Sequence, residues 1–327
     1  MGKALIAAPL AVLLVAGIVV VVHLRQAARQ RADVAEITAA FQRGDCPGAA
    51  AALASARSRP LLYGNRAAVP QPALDQVSQC GRLDQARVLG EGGKADEAIA
   101  AYLDYLKDNE SSPLGGIVTD RLGRVLRDGE PPVTSGLCRD LATVVEADQL
   151  SAHESFPELF TDCGAKLAAS TRTADREGAR ALLSEVRTTY PQAPQLERAA
   201  VAEAKARIAL SPDDGTMTSP YRISGSAKQA SVRYVNHTPW PAVLAVSGAK
   251  AGRVVELGGC PACELYEETS NGPQNCESNG AKAVTIELAP GRYRVAIQYV
   301  GDNAPPDNSG AWTLSKGRYA ECYYGIK

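Results

Sequence analysis

The chain has 327 residues, 45% of them hydrophobic and 22% charged, with a formal net charge of −1. Such a composition excludes a disordered chain, and the length suits about two domains plus a terminal segment. Residues 34–210 carry 20 basic and 24 acidic side chains and residues 211–327 carry 11 of each, so neither part offers the cationic face that a nucleic-acid partner needs.

Ala4 to Val22 is an uncharged, almost wholly apolar run, followed by Arg25, Arg29 and Arg31. Its 19 residues reach about 28 Å as a helix, close to the ~30 Å hydrocarbon core of a bilayer. The run exceeds a signal-peptide h-region and closes in β-branched residues where cleavage needs small ones. A single-pass transmembrane anchor is therefore expected within residues 1–32. Positive-inside counting would leave the bulk of the chain in the cytosol. The eight cysteines argue the reverse, because structural disulfides persist in oxidising compartments. The expected localisation is the cell membrane, single-pass, with most of the chain extracytoplasmic.

Residues 33–210 read as helical. Apolar and small residues recur at three- and four-residue spacing, broken by Gly, Pro and Asp. The clearest stretch runs from Leu83 through a turn at Gly92 and Gly93 into a second helix, where Ala98, Tyr102 and Tyr105 fall on one face. Ala98 is small enough to let the two helices approach closely, with Tyr102 filling the groove beside it. Cys46 and Cys80 bracket the first helical stretch and Cys138 and Cys163 a later one, which reads as two disulfide staples.

The Ala98–Tyr102 pair resembles the second helix of a tetratricopeptide repeat, in which an aromatic residue follows a small one four positions later. The first-helix Trp and the Leu-Gly pair of that family are missing at their usual offsets. Similar turn-and-helix starts occur at Gly44 and at Thr173, the latter ending in Tyr190-Pro191, a helix end typical of bacterial tetratricopeptide-like proteins. Leu122–Leu126 and Cys138–Val145 supply another pair around residues 129–136. The resemblance implies an irregular α-solenoid of roughly three or four helix pairs with a concave surface for a protein or peptide, Tyr102 and Tyr105 being candidate interaction residues. The alternative is a stalk that only spaces the C-terminal domain from the membrane.

Residues 211–228 form a turn-rich linker, and 229–327 carry strand signals. Short alternating or apolar runs begin at Ser231, Ala242, Arg253, Ala283, Arg292, Trp312 and Tyr319. In the Arg292 run, Tyr293, Val295, Ile297 and Tyr299 share a face at period two. Pro290 and Gly291 fit the centre of a type II turn, with Gly291 at positive φ. About seven short strands with no helical period between them predict an antiparallel β-sandwich. The Leu288–Val295 stretch resembles a turn found in many extracytoplasmic bacterial β-sandwich modules. The predicted fold class is thus multidomain α and β: N-terminal transmembrane helix, tetratricopeptide-like helical region, C-terminal antiparallel sandwich.

Cys260, Cys263, Cys276 and Cys322 admit three readings. Two disulfides, favoured as Cys263–Cys276 and Cys260–Cys322, would pin a loop to the final strand. A tetrathiolate zinc site lacks the second C-x-x-C of a zinc ribbon. A redox-active Cys260-Pro261-Ala262-Cys263 lacks the βαβ setting that lowers an attacking thiol's pKa.

Catalytic chemistry is sparse. Of the three histidines, His23 belongs to the predicted membrane interface, His153 to a polar loop, and His237 to the Asn236–Trp240 turn, which is also an acceptor sequon. Gly90–Lys94 has the wrong neighbours for a phosphate loop, residues 302–310 lack calcium-loop spacing, and no nucleophile elbow occurs. No enzyme activity, metal or cofactor is expected. The expected function is a membrane-anchored extracytoplasmic binding or scaffold protein with an unidentified protein or peptide partner. One alternative is a solute- or wall-polymer receptor using Trp240, Trp312, Tyr266, Tyr323 or Tyr324 of the sandwich. The other is a thiol–disulfide oxidoreductase using Cys260 and Cys263.

Overall fold

Two helix–helix turns early in the chain are closed by the same device. Helix α1 (Ala7–Gln42) runs into α2 (Cys46–Ser58), and α3 (Gln71–Glu91) into α4 (Ala95–Asp108). At Gly44 and Gly93 φ is 72° and 76°, a left-handed conformation that penalises any residue with a Cβ. The Asp45 and Gly44 amides donate to Ala40 and Phe41, and the Lys94 and Gly93 amides donate to Leu89 and Gly90. Both are the paired bonds of a Schellman cap, which satisfies carbonyls that the helix end would otherwise orphan.

The structure, a computed structural model, describes residues 7–58, 69–212, 217, 219–249, 251–263 and 280–324, with backbone alone for 7–19, 323 and 324. It divides into two compact units, Met1–Pro131 with Gln149–His153, and Pro132–Asp148 with Glu154–Lys327. In the first, α4 buries Ala98, Ile99, Tyr102, Leu103, Tyr105 and Leu106 along one face, and α5 (Gly115–Gly129) packs after it. Gly90 of α3 faces Ala98, so the small residue does permit a close helix approach. Tyr105 buries its ring while its hydroxyl donates to Gln79 at 3.1 Å and pairs with Ser112 at 2.8 Å.

No helix among the described residues is long and apolar enough to cross a membrane. This overturns the expected transmembrane anchor and the cell-membrane localisation built on it. The described side chains of α1 turn polar after Leu24, and the helix ends by burying Ile37, Ala40 and Phe41 among its helical neighbours. Residues 4–6 of the apolar run lie outside the described residues.

The second unit joins four helices to two sheets. The helices are α6 (Ser135–Glu146), α7 (Phe156–Ala168), α8 (Thr173–Thr189) and α9 (Leu196–Leu210). Thr134 caps α6 by accepting the Leu137 amide at 3.2 Å, the usual service of a threonine N-cap. Asp175 in the first turn of α8 accepts Nε and Nη2 of Arg139 from α6, at 2.8 and 3.1 Å, and the Ser170 hydroxyl at 2.7 Å. Those donors hold the Asp175 carboxyl well below the usual aspartate range, Arg139 contributing most.

The strands are β1 (Tyr221–Ile223), β2 (Ala230–His237), β3 (Ala242–Gly248), β4 (Gly252–Leu257), β5 (Lys282–Leu288), β6 (Gly291–Tyr299), β7 (Asn308–Leu314) and β8 (Gly317–Tyr324). They form two sheets of order β1-β8-β2-β5 and β4-β3-β6-β7. One apolar core draws on both, including Val232, Tyr234, Leu244, Val246, Val295, Ile297 and Trp312. The sandwich is not wholly antiparallel as expected. β2 and β8 run parallel, with Val235 opposite Cys322 and His237 opposite Tyr324. Gly291 is not among the positive-φ glycines, so the expected type II turn is not formed. The motif acts instead through Tyr293, whose hydroxyl donates back to the Ala289 carbonyl at 2.6 Å.

All five residues of Ala242–Val246 are buried, as are Val295–Gln298. A strand buried on both faces needs a cover on each, and α9 supplies it by packing on β3, β4 and β6. At that contact Glu203, fully buried, accepts from Arg207 at 2.9 Å and from Arg187 of α8 at 3.2 Å. Arg207 also donates to Gln298 of β6 at 2.6 Å, and Arg187 to Glu256 of β4 at 2.7 Å. Burial pulls the Arg207 guanidinium below its ordinary pKa despite Glu203. Burial acts downward on Arg187 too, but Glu203 and Glu256 outweigh it and its pKa rises.

Cys46 is bonded to Cys80, tying α2 to α3, and Cys138 to Cys163, tying α6 to α7. Their sequence separations are 34 and 25, for which loop entropy alone gives about 3.5–4 kcal/mol each. In the sandwich Cys260 is bonded to Cys263. The expected Cys260–Cys322 and Cys263–Cys276 pairs are therefore not formed, because residues 260–263 turn back on themselves and bring their own two sulfurs together. Cys322 is also disulfide-bonded, and Cys276 lies outside the described residues.

Two outcomes follow from the charge pairs. Glu203→Gln leaves Arg207 buried without its counter-charge and should destabilise the second unit by about 3–5 kcal/mol in denaturant melts. Asp175→Asn should lower the thermal midpoint at neutral pH. Because the folded Asp175 pKa is depressed, that gap should shrink as pH falls below about 4, where the unfolded aspartate is already protonated.

Candidate functional site

The C-terminal end of β2 builds a corner from its own polar side chains. Asn236 is fully buried, and its amide nitrogen donates to the carbonyls of Trp240 at 2.9 Å and Gly258 at 3.2 Å. Its Oδ1 accepts the Thr238 amide at 3.1 Å. The Thr238 hydroxyl lies 2.8 Å from that same oxygen and 3.0 Å from the Trp240 carbonyl, sharing one hydrogen between them. Buried and committed on both ends, Asn236 is not an accessible glycosylation acceptor in the folded chain.

This network clamps the segment after β4 onto the turn. The Cys260 amide donates to the Thr238 carbonyl at 2.7 Å, and the Cys263 amide to the Cys260 carbonyl at 2.9 Å. The two segments approach so closely that a Cβ on Gly259 would sit 2.3 Å from the Pro239 carbonyl oxygen. The result places Sγ of Cys263 3.9 Å from Nδ1 of His237. His237 is 5% exposed and Cys260 4%, whereas Cys263 is half-buried and Pro261 and Ala262 are exposed. Cys263 is therefore the more exposed member of the pair, with an imidazole beside its sulfur. Around them Val235, Ala281 and Ala320 form a small apolar cluster against which Cys322 also packs.

A different concavity lies in the first unit. A groove of about 720 Å³ follows α1, lined by Ala27, Arg31, Val34, Ala35, Thr38 and Pro70 among others. The α1 residues recur at three- and four-residue spacing and so share one face, beside the face that buries Ile37, Ala40 and Phe41. Its described lining is mainly apolar by area, with Gln30, Arg31, Thr38 and Gln42 as the polar members among the described residues.

The sequence-derived interaction residues are scattered differently. Tyr102, Tyr105 and Trp312 are at most 1% exposed and serve the cores of their units, which corrects their assignment to a partner surface. An aromatic on the inward face of an amphipathic helix or strand is drawn to the largest apolar burial on offer. Trp240 is half-buried, its ring N–H donating to the Asp302 carbonyl at 3.2 Å. Tyr266 lies outside the described residues, and Tyr323 and Tyr324 are placed by backbone alone. No metal-binding group of three or more His, Cys, Asp or Glu occurs among the described residues. Reading the sequence missed that His237 meets Cys263. The two are 26 positions apart, and no local pattern connects them.

Comparison with family models, curated proteins and solved structures finds no match to this chain.

Gly259→Ala should push the cysteine turn off the Asn236 clamp and destabilise the sandwich by about 1–3 kcal/mol, the range for forced overpacking. Denaturant melts of the full chain measure the loss, and Gly280→Ala does not serve as its control because Gly280 has a positive φ of 89°. Ala262→Gly, on the exposed side of the same turn, is the control and should cost less.

Proposed function

We propose that this chain is a binding and scaffold protein whose tetratricopeptide-like helical hairpins hold a protein or peptide segment. The groove along α1 carries the reading. It is open and mainly apolar, a surface that a partner side chain would dry and fill. The repeat character rests on Gly44 and Gly93, 49 residues apart, which close two consecutive hairpins with the same cap. Arg31 on the groove wall favours a segment that is apolar and carries an acidic residue.

A displayed peptide library selected against the full-length protein should enrich apolar segments with one acidic residue. Ala35→Arg, which fills the groove from an exposed position, should weaken an enriched peptide at least tenfold, about 1.4 kcal/mol. Asp104→Arg, exposed on α4, should leave its affinity unchanged. Equal losses in the two variants, or no enriched sequence class, would refute the groove as the binding site.

A further inference from the structure

Three disulfides are resolved between described cysteines, and one of them does not suit a staple. Cys46–Cys80 and Cys138–Cys163 each join separate helices across 34 and 25 positions, while Cys260–Cys263 spans a separation of 3 within one turn. Loop closure removes least from the unfolded ensemble when the loop is shortest. The same short disulfide is the one with a histidine against it, and Cys263 Sγ is 3.9 Å from His237 Nδ1. The pair is also asymmetric, with Cys260 buried and Cys263 only partly buried and in contact with the imidazole. The Asn236–Thr238 network and the Cys260 amide hold that geometry from the sheet side.

We propose that Cys260–Cys263 is a redox-active disulfide that exchanges with a dithiol on a protein or peptide, with Cys263 as the attacked sulfur and His237 as the positioning and thiolate-stabilising residue. This goes beyond the helical groove and is independent of it. A substrate thiolate attacks Cys263 Sγ, which it reaches from the exposed side of the turn. The Cys260–Cys263 bond breaks, a mixed disulfide forms at Cys263, and Cys260 leaves as a thiolate that takes up a proton. The second substrate thiol, deprotonated, then attacks the substrate sulfur of the mixed disulfide. Cys263 leaves as a thiolate beside the His237 ring, whose Nδ1–H it accepts, and is protonated in turn. Two electrons and two protons pass from the substrate dithiol to the cysteine pair, leaving the substrate oxidised and the pair reduced. Read backwards, the reduced pair reduces a substrate disulfide with Cys263 as the nucleophile. An adjacent imidazole favours that role because it stabilises the thiolate over the thiol.

The test uses the full-length oxidised protein and graded dithiothreitol, with alkylation and peptide mass spectrometry reporting each cysteine. Cys260 and Cys263 should become reduced at a dithiothreitol concentration that leaves Cys46–Cys80 and Cys138–Cys163 intact. In the reduced pair, Cys263 should alkylate roughly tenfold faster at pH 7 than in His237→Asn, the gain in thiolate a neighbouring imidazole provides. Cys260→Ser should trap a mixed disulfide with an oxidised synthetic peptide carrying two cysteines, and Cys263→Ser should not. Reduction of Cys260–Cys263 no earlier than the helical disulfides would overturn the proposal. So would trapping through Cys260, or equal alkylation rates with and without His237. Should His237→Asn fail to fold, the order of reduction and the trapping pair decide the matter without it.

Discussion

Glu203 sits in the second unit with no exposed surface and two arginines on it. A lone buried carboxylate is among the most expensive groups a fold can hold, and it becomes tolerable only when charge and hydrogen bonds surround it. Arg207 supplies one side and Arg187 the other, and each arginine then reaches a different strand, β6 through Gln298 and β4 through Glu256. The carboxylate thus fixes α9 against the sheet at a defined position along the strands. With α9 in place, the outward residues Ala245, Ala296 and Gln298 are covered, and the sheet's inner face is left to meet its partner sheet around Trp312. One charged cluster therefore ties α8 and α9 to the sandwich.

The corner at the end of β2 depends on the same kind of accounting, made with neutral groups. Asn236 has two amide hydrogens and one oxygen, and all are used to join two turns that are distant in sequence. Because those bonds are to backbone carbonyls and an amide, they position the chain rather than a particular side chain. The side chains that come along, His237 and Cys263, are the ones with chemistry. Their meeting is a consequence of backbone satisfaction at the end of β2, a strand that lies between β8 and β5.

Much of this was legible in the residues. The helix–strand change near Leu210, the glycine turn at Gly93 and the inward face of Tyr293, Val295 and Ile297 follow from local periodicity, which the backbone obeys wherever it is. Tyr102 and Tyr105 were placed on the correct helix face, but a face alone does not say whether it meets a partner or the protein's own core; here it meets the core. The type II turn failed because Pro-Gly is compatible with several conformations, and Tyr293 reaching back to Ala289 selected another. The expected disulfides of the sandwich failed for a related reason: loop length ranks pairings by entropy, while a bond forms only where the fold brings two sulfurs together.

What the sequence determined by itself is therefore the set of local elements: helical hairpins with their caps, a run of short strands, and cysteines distributed among them. The tertiary structure alone decided that no described helix has the length and apolarity to cross a membrane, that α9 covers a sheet, that Glu203 is buried between two arginines, and that His237 stands against Cys263. Those outcomes link residues as far apart as Arg207 and Gln298. Periodicity acts over a few residues, whereas burial and charge pairing act through space, so contacts of that range are set only when the whole chain packs.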